Sequence, residues 1–151
     1  MIGLIQRVAR ADVQVDSETV GTIGRGILAL IGVRRGDDAL SADRLLERLL
    51  TYRIFPDEQG KMNLSLLDIK GGLLVVPQFT LAADTKTGTR AGFSTAASPD
   101  DGLRLFSLFL EISKKKNPET KAGQFGADMK VSLVNDGPVT FWLRVPPQPL
   151  S

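Results

Sequence analysis

Gly71-Gly72-Leu73-Leu74-Val75-Val76-Pro77-Gln78-Phe79-Thr80-Leu81 is the stretch on which the fold turns. A glycine pair launches a short run that is apolar on both faces, which reads as a central strand of a sheet. That strand ends in Pro-Gln-Phe-Thr, placing polar side chains and free backbone N–H groups at a strand terminus, a usual location for sites in α/β sheets. Taken alone, the segment leaves two readings open. Gln78 and Thr80 line a site, or they simply face solvent on alternate residues.

Towards the N-terminus, Ile2 to Val8 and Asp12 to Val15 read as an extended, alternating pair, followed by Val20 to Gly24 and the apolar run Ile27 to Val33. This is a strand-rich meander. Asp37 and Asp38 supply helix-start chemistry for a helix over 41–53, with Ala42, Leu45, Leu46, Leu49 and Leu50 on its apolar face and Asp43, Arg44, Glu47 and Arg48 on the wet one. Phe55 to Gly60 is a turn.

Towards the C-terminus, Ala82 to Ala97 is polar, small and Gly-containing, a loop with Lys86 and Arg90 exposed. Ser98-Pro99-Asp100-Asp101 combines an N-cap, a first-turn proline and an acidic residue three positions after the cap, announcing a helix through about Lys116. Leu103, Phe106, Phe109, Leu110 and Ile112 are expected on its buried side. The Lys114-Lys115-Lys116 run either suits the negative end of that helix or forms an RNA-binding patch. Met129 to Val134, a tight turn at 135–138 and Val139 to Val145 predict a closing strand-turn-strand unit. The order implies one α/β domain over residues 1–145, a mixed, largely antiparallel sheet with helices packed against it. A frayed, proline-rich tail over 146–151 follows.

Composition narrows the chemistry. The chain has 151 residues, enough for one core, and 24% charged residues with a net charge of +2, so an anionic partner is permitted without being demanded. No apolar run approaches the roughly 20 residues needed to cross a bilayer, and the N-terminus lacks a signal-peptide pattern, so a cytoplasmic location is expected. With no cysteine there are no disulfides, thiolate metal sites or cysteine nucleophiles. With no histidine, Ser-His-Asp triads, histidine acid/base pairs and His-ligated zinc are excluded as well. Any reaction must use carboxylates, Lys, Tyr, hydroxyls, backbone amides or groups of the substrate.

Two further segments stand out. Gly123-Gln124-Phe125-Gly126-Ala127-Asp128-Met129 is a glycine-flanked aromatic that either holds a base or apolar group near the main chain or is ordinary turn and core packing. Asn135-Asp136-Gly137-Pro138-Val139-Thr140 contains an X-Pro bond whose isomer composition alone does not choose, cis being about 5–6% of such bonds. Together with the IQRV start, Gly21 to Leu28, RIFPDEQGKMNLS and PQFTL followed by ADTKTGTR, these segments resemble the D-aminoacyl-tRNA deacylases from about Met1 to Thr140.

The resemblance implies the deacylase-like fold and a homodimer with its active site at the interface. It implies hydrolysis of the ester joining a D-amino acid, or glycine, to the terminal adenosine of tRNA, including glycyl-tRNA mischarged on tRNA-Ala. The family's Ser-Gln-Phe-Thr segment maps onto Pro77, Gln78, Phe79 and Thr80, and its Gly-cisPro pair onto Gly137 and Pro138, which the partner subunit inserts into the pocket to reject L-amino acids. Phe125 and Met129 pack against the terminal adenine, or are core. No cofactor and no metal is expected. The chain departs from the family at Pro77, where proline removes a hydroxyl and an N–H. It also departs at Arg90-Ala91-Gly92-Phe93, where many relatives have Arg-Pro-Ser-Phe, and at Gln124.

An aminoacyl ester is already activated, so electrostatic placement can suffice. The Phe79 N–H is the candidate oxyanion donor, Gln78 orients the water or ester, and the substrate's 2′-hydroxyl assists. Thr80, with no identifiable base, is expected as hydrogen-bonding support more than as nucleophile. Carbonyl oxygens at Gly137–Pro138 would leave no volume for an L side chain, while glycine escapes the filter. Two competing readings are a tRNA-terminus or nucleic-acid binding module that has lost turnover through Pro77, and a structural dimer whose motifs reflect fold requirements.

Overall fold

A computed structural model describes residues 1–149; Leu150 and Ser151, the end of the expected tail, lie outside the described residues. The frame is one 14-residue strand, β1 (Ile2–Val15). It runs without a break through the two segments that the pattern separated. Alternation falters around Val8 because the register against a neighbouring strand slips twice there, between Gln6 and Val8 and between Val8 and Arg10, while the chain stays extended. At Asp16 and Ser17 both φ angles are positive, 50° and 65°, as a two-residue type I′ hairpin requires. The chain returns as β2 (Glu18–Ile23) and β3 (Gly26–Gly32), both antiparallel to β1.

The other edge of β1 is occupied by β8 (Lys130–Arg144), paired from Gln14↔Lys130 to Ile2↔Arg144. The expected strand-turn-strand unit is therefore a single strand. Its two halves share the same antiparallel neighbour, so Asn135 to Pro138 kinks one ladder instead of reversing the chain, opposite the double slip in β1. Turn-forming residues predict an interruption; only the neighbour decides whether that interruption is a hairpin or a bulge.

β6 (Gly72–Pro77) lies between β3 and β7 (Thr120–Ala122), parallel to both, as its apolar run requires. The six-stranded sheet is thus mixed, antiparallel around β1 and parallel around β6. A two-stranded ribbon, β4 (Phe55–Pro56) with β5 (Met62–Leu64), and a short helix, α2 (Leu66–Ile69), sit beside it.

Helix α1 (Ala39–Thr51) begins two residues before the expected start, because Asp38 is its N-cap. Asp38 Oδ1 accepts the Ser41 N–H at 2.8 Å, and Ser41 Oγ accepts the Asp38 N–H at 3.3 Å, a reciprocal capping box. Asp37 takes no part in that cap; its carboxylate pairs with the Met1 ammonium at 2.6 Å, both buried. Leu45, Leu46, Leu49 and Leu50 are buried, each contributing about 1.5–3 kcal/mol.

Helix α3 (Pro99–Lys116) starts at the Ser98 cap, whose side chain accepts from the Asp101 N–H. Its buried stripe is Gly102, Leu105, Phe106, Phe109 and Ser113. Leu103, expected inside, is 47% exposed, and Leu110 and Ile112 are only partly buried. The stripe advances by threes and fours from Gly102, and Leu103 is one residue out of phase with it. In the lysine run, Lys115 pairs with Glu111 and Lys116 with Asp43, in keeping with the helix-end reading.

The larger core lies between the sheet and the helices; a smaller one, built on Val8, Ala11, Val13, Leu28, Leu74 and Val76, lies on the opposite face. No described helix is long and apolar enough to cross a membrane. Pro146 to Pro149 are exposed and outside every strand and helix.

Candidate active site

β3 and β6 run parallel and end at the same rim, where a cavity of about 480 Å³ opens. Ile31 and Val33 at the end of β3, and Val76, Pro77, Gln78 and Phe79 at the end of β6, form its floor. One wall is the start of α3 with Ser98, Pro99, Gly102 and Phe106; the other is Phe125 to Ala127 with Met129 and Val131. None of the lining side chains is ionisable. The lining therefore offers dipoles and shape and no titrating side chain, in a chain that has no histidine.

The rim geometry follows from Pro77. Along β6, Leu73 donates its N–H towards Glu119 on the β7 side, and Gln78 donates its N–H to Ile31 O at 2.8 Å on the β3 side. Odd-numbered amides thus point towards β7, and β7 pairing stops at Val75↔Ala122. Pro77 lacks an N–H where no ladder partner remains, so a strand flanked on both sides tolerates it. Immediately after, a 3₁₀ turn over Phe79–Ala82 begins. Leu81 donates to Gln78 O and Ala83 to Thr80 O, whereas the N–H groups of Phe79 and Thr80 find no acceptor among the described residues.

Gln78, half-buried, donates from Nε2 to the Thr80 hydroxyl. No carboxylate or amine hydrogen-bonds that hydroxyl among the described residues, so Thr80 has no base beside it. Phe79 is 62% exposed and stacks on Phe93 with ring centroids 5.3 Å apart. Phe125 and Met129, expected either at a ligand or in the core, are partly buried against the cores and line the cavity. Phe125 rests on Phe106, centroids 6.2 Å apart, and Met129 packs on the smaller core, while each also faces the cavity.

Gly137 and Pro138 are not brought to this cavity within one chain. Their peptide is cis, and both residues are exposed. The kink is braced on every side: Asn135 Oδ1 accepts the Val139 N–H at 2.9 Å, Asn135 Nδ2 donates to Thr140 Oγ1 at 2.9 Å, and Arg7 Nε donates to Asp136 O at 2.9 Å.

The α3 wall was not anticipated from the sequence. Its one signal is Gly102, an isolated glycine inside a helical pattern, which usually marks close packing. Here a Cβ would lie 3.4 Å from the Phe125 ring, an ordinary contact distance, so the glycine marks where the aromatic meets the helix and a methyl group would fit in its place.

A family model described as D-Tyr-tRNA(Tyr) deacylase matches residues 4–144. The chain belongs to this deacylase family. It is 62% identical to a D-aminoacyl-tRNA deacylase of Thioalkalivibrio sulfidiphilus, covering 97% of this chain and 99% of that one. To a D-aminoacyl-tRNA deacylase of Alkalilimnicola ehrlichii it is 60% identical, covering 97% and 98%. Among solved structures, one titled c-Myc DNA Unwinding Element Binding Protein superposes with a TM-score of 0.93 at 36% identity, over 97% of this chain and 99% of that one. A second, titled a probable eukaryotic D-amino acid tRNA deacylase, shares the fold at a TM-score of 0.80 and 17% identity. As a member of the deacylase family the chain is an enzyme of the hydrolase class, and the fold expected from its motifs is the fold it adopts.

Proposed function

We propose that this chain hydrolyses the ester between a D-amino acid, or glycine, and the terminal adenosine of tRNA, glycyl-tRNA mischarged on tRNA-Ala included. The observation that carries the reading is the end of β6. The backbone N–H of Phe79, without an acceptor among the described residues, belongs to a residue that lines an apolar cavity with no ionisable side chain, while Thr80, whose N–H also lacks one, lies next to it outside that lining.

Water attack on the ester carbonyl creates a tetrahedral oxyanion, and a fixed N–H in a water-poor site stabilises it without reorganisation. The Phe79 N–H is that donor. Gln78 orients the water or the ester, Thr80 holds Gln78 in place, and the ribose 2′-hydroxyl of the substrate takes part in proton movement. Phe125 and Met129 hold the adenine, and Pro77 closes the floor as an apolar contact. The scheme needs neither metal nor cofactor.

Stereochemical choice is assigned to Gly137 and Pro138 of a second copy. Their main-chain oxygens would fill the volume that an L side chain needs, while a D side chain points away and glycine passes. A second copy also has somewhere to sit. Trp142, 55% exposed, pairs across the ladder with Leu4, and Leu4 with Leu30, giving an apolar row on the sheet face away from α1. Covering it is the role given to the homodimer.

A nucleic-acid binding module without turnover is the second reading. Pro77 and the likeness to the structure titled as a DNA unwinding element binding protein favour it. Incubation with D-Tyr-tRNA and L-Tyr-tRNA separates the two: release of tyrosine from the D ester alone is the expected result, and binding without release would leave only the second. Activity abolished by EDTA would refute the metal-free scheme.

A further inference from the structure

Two segments beside the cavity carry cations that the scheme above does not use. Arg34 and Arg35 follow β3 directly. Lys86 and Arg90 lie on the tip of the loop whose ends, Asp84 and Gly92, pair as an antiparallel bridge. The two segments are stitched together. Arg35 N–H donates to Thr95 O at 3.0 Å, Arg34 and Ala96 form a bridge, and Ala97 N–H donates to Val33 O at 3.1 Å. The loop is also tied to the site. Ala83 N–H donates to Thr80 O, Thr95 Oγ1 donates to Ala82 O at 2.6 Å, and Phe93 stacks on Phe79.

None of the four side chains has a carboxylate partner among the described residues. The nearby carboxylates are engaged elsewhere. Asp37 holds the Met1 ammonium and the Arg34 N–H, Asp38 caps α1, and Asp84 accepts the Lys86 N–H. Cations on adjoining segments without carboxylate partners give that surface a positive potential, which attracts an anionic partner.

We infer that Arg35, Lys86 and Arg90, with Arg34 behind them, form a phosphate track that carries the RNA backbone of the substrate to the mouth of the cavity. The inference rests on the proposed function and adds to it a surface outside the pocket. The track reads no bases; it supplies affinity and register through phosphate contacts, and so makes the reaction salt-sensitive.

The test compares a long and a short substrate: D-Tyr-tRNA, and D-tyrosine esterified to adenosine alone, which reaches only the pocket. For the triple variant Arg35→Gln, Lys86→Gln, Arg90→Gln, KM for D-Tyr-tRNA is expected to rise while hydrolysis of the adenosine ester is unchanged. Each cation removed should take about threefold off the inhibition caused by a fourfold rise in salt. Arg35→Lys with Arg90→Lys should retain most of the wild-type salt response. An unaltered salt response in the triple variant, with the adenosine ester still cleaved, overturns the track and leaves the pocket reading standing. Equal loss on both substrates overturns it too, by assigning the residues to the pocket or the fold. If the wild-type protein cleaves neither ester, the functional reading fails first and the track with it.

Discussion

Two interruptions of regular strand matter in this molecule, and they are built in opposite ways. At the end of β6 the ladder stops, a 3₁₀ turn begins, and the N–H groups of Phe79, which lines the cavity, and of Thr80, the next residue, are left without acceptors among the described residues. In the middle of β8 the ladder also breaks, but there Asn135 and Arg7 hydrogen-bond Val139 N–H, Thr140 Oγ1 and Asp136 O, and Gly137 and Pro138 do not line the cavity at the end of β6. The first region has spare hydrogen-bonding capacity and the second has spare rigidity. Chemistry needs the former, because a donor already committed cannot stabilise a developing charge. A template that excludes one stereoisomer needs the latter, because exclusion works only if the obstructing atoms do not yield.

The largest expected effect tests the first half of that contrast. Phe79→Pro removes the N–H and the ring, whereas Phe79→Ala removes only the ring. The proline variant should lose about 10²–10³ in kcat on D-Tyr-tRNA relative to the alanine variant. Equal rates in single-turnover assays would show that the N–H is not the oxyanion donor.

Gly137→Ala tests the second half. Its φ is 144°, outside the range L residues adopt readily, and an added Cβ would sit 2.6 Å from Val139 Cγ2. The kink must shift, and discrimination between D- and L-Tyr-tRNA should fall on the order of tenfold, in line with the strain such a conformation imposes. Mixing this variant with Phe79→Pro asks whether the two regions meet across subunits. Random re-pairing leaves about one site in four intact and one in four active but unselective, so hydrolysis of the D ester should stand at about half the Gly137→Ala rate and that of the L ester at about a quarter, a discrimination better than that of Gly137→Ala alone. A mixture no better than the average of its parts would place the two regions in separate jobs.

How far these regions could be read from the residues differs in the same way. The β6 strand, its polar terminus and the Ser98 cap follow from local pattern, and each is where that pattern puts it. The β8 kink reads as a hairpin in sequence because Asn-Asp-Gly-Pro encodes a break and carries no information about which strand lies opposite. Leu103 differs from its expected place for a similar reason: hydrophobicity marks it as core, while the phase of the stripe is set by the surface α3 meets. The cavity itself brings together four segments distant in sequence, so its apolar walls at Gly102 and Val131 carry no local sign beyond an odd glycine.

A smaller effect concerns Thr80. Its hydroxyl accepts from Gln78, and no base stands beside it. Thr80→Val should keep kcat within about threefold of wild type and act through a loosened Gln78, because an unassisted hydroxyl contributes little as a nucleophile at neutral pH. Loss on the scale of Phe79→Pro would restore Thr80 to the nucleophile's role.

The smallest effect is on stability and keeps pH apart from mechanism. Hydrogen bonds from the Ser41 backbone and side chain hold the Asp38 carboxyl below its ordinary value, and those from Ser65 do the same for Asp68. A carboxylate whose folded pKa is lowered binds fewer protons in the folded chain than in the unfolded one. Its stabilisation is therefore complete above the unfolded value of 3.8 and is lost as pH falls through the lowered one. Thermal midpoints should drop on that acid limb, less steeply in Asp38→Asn, which caps without titrating. Because no ionisable side chain lines the cavity, the same substitution should leave kcat at neutral pH unchanged; a shifted activity profile would mean that the cap reaches the site through the segment joining β3 to α1.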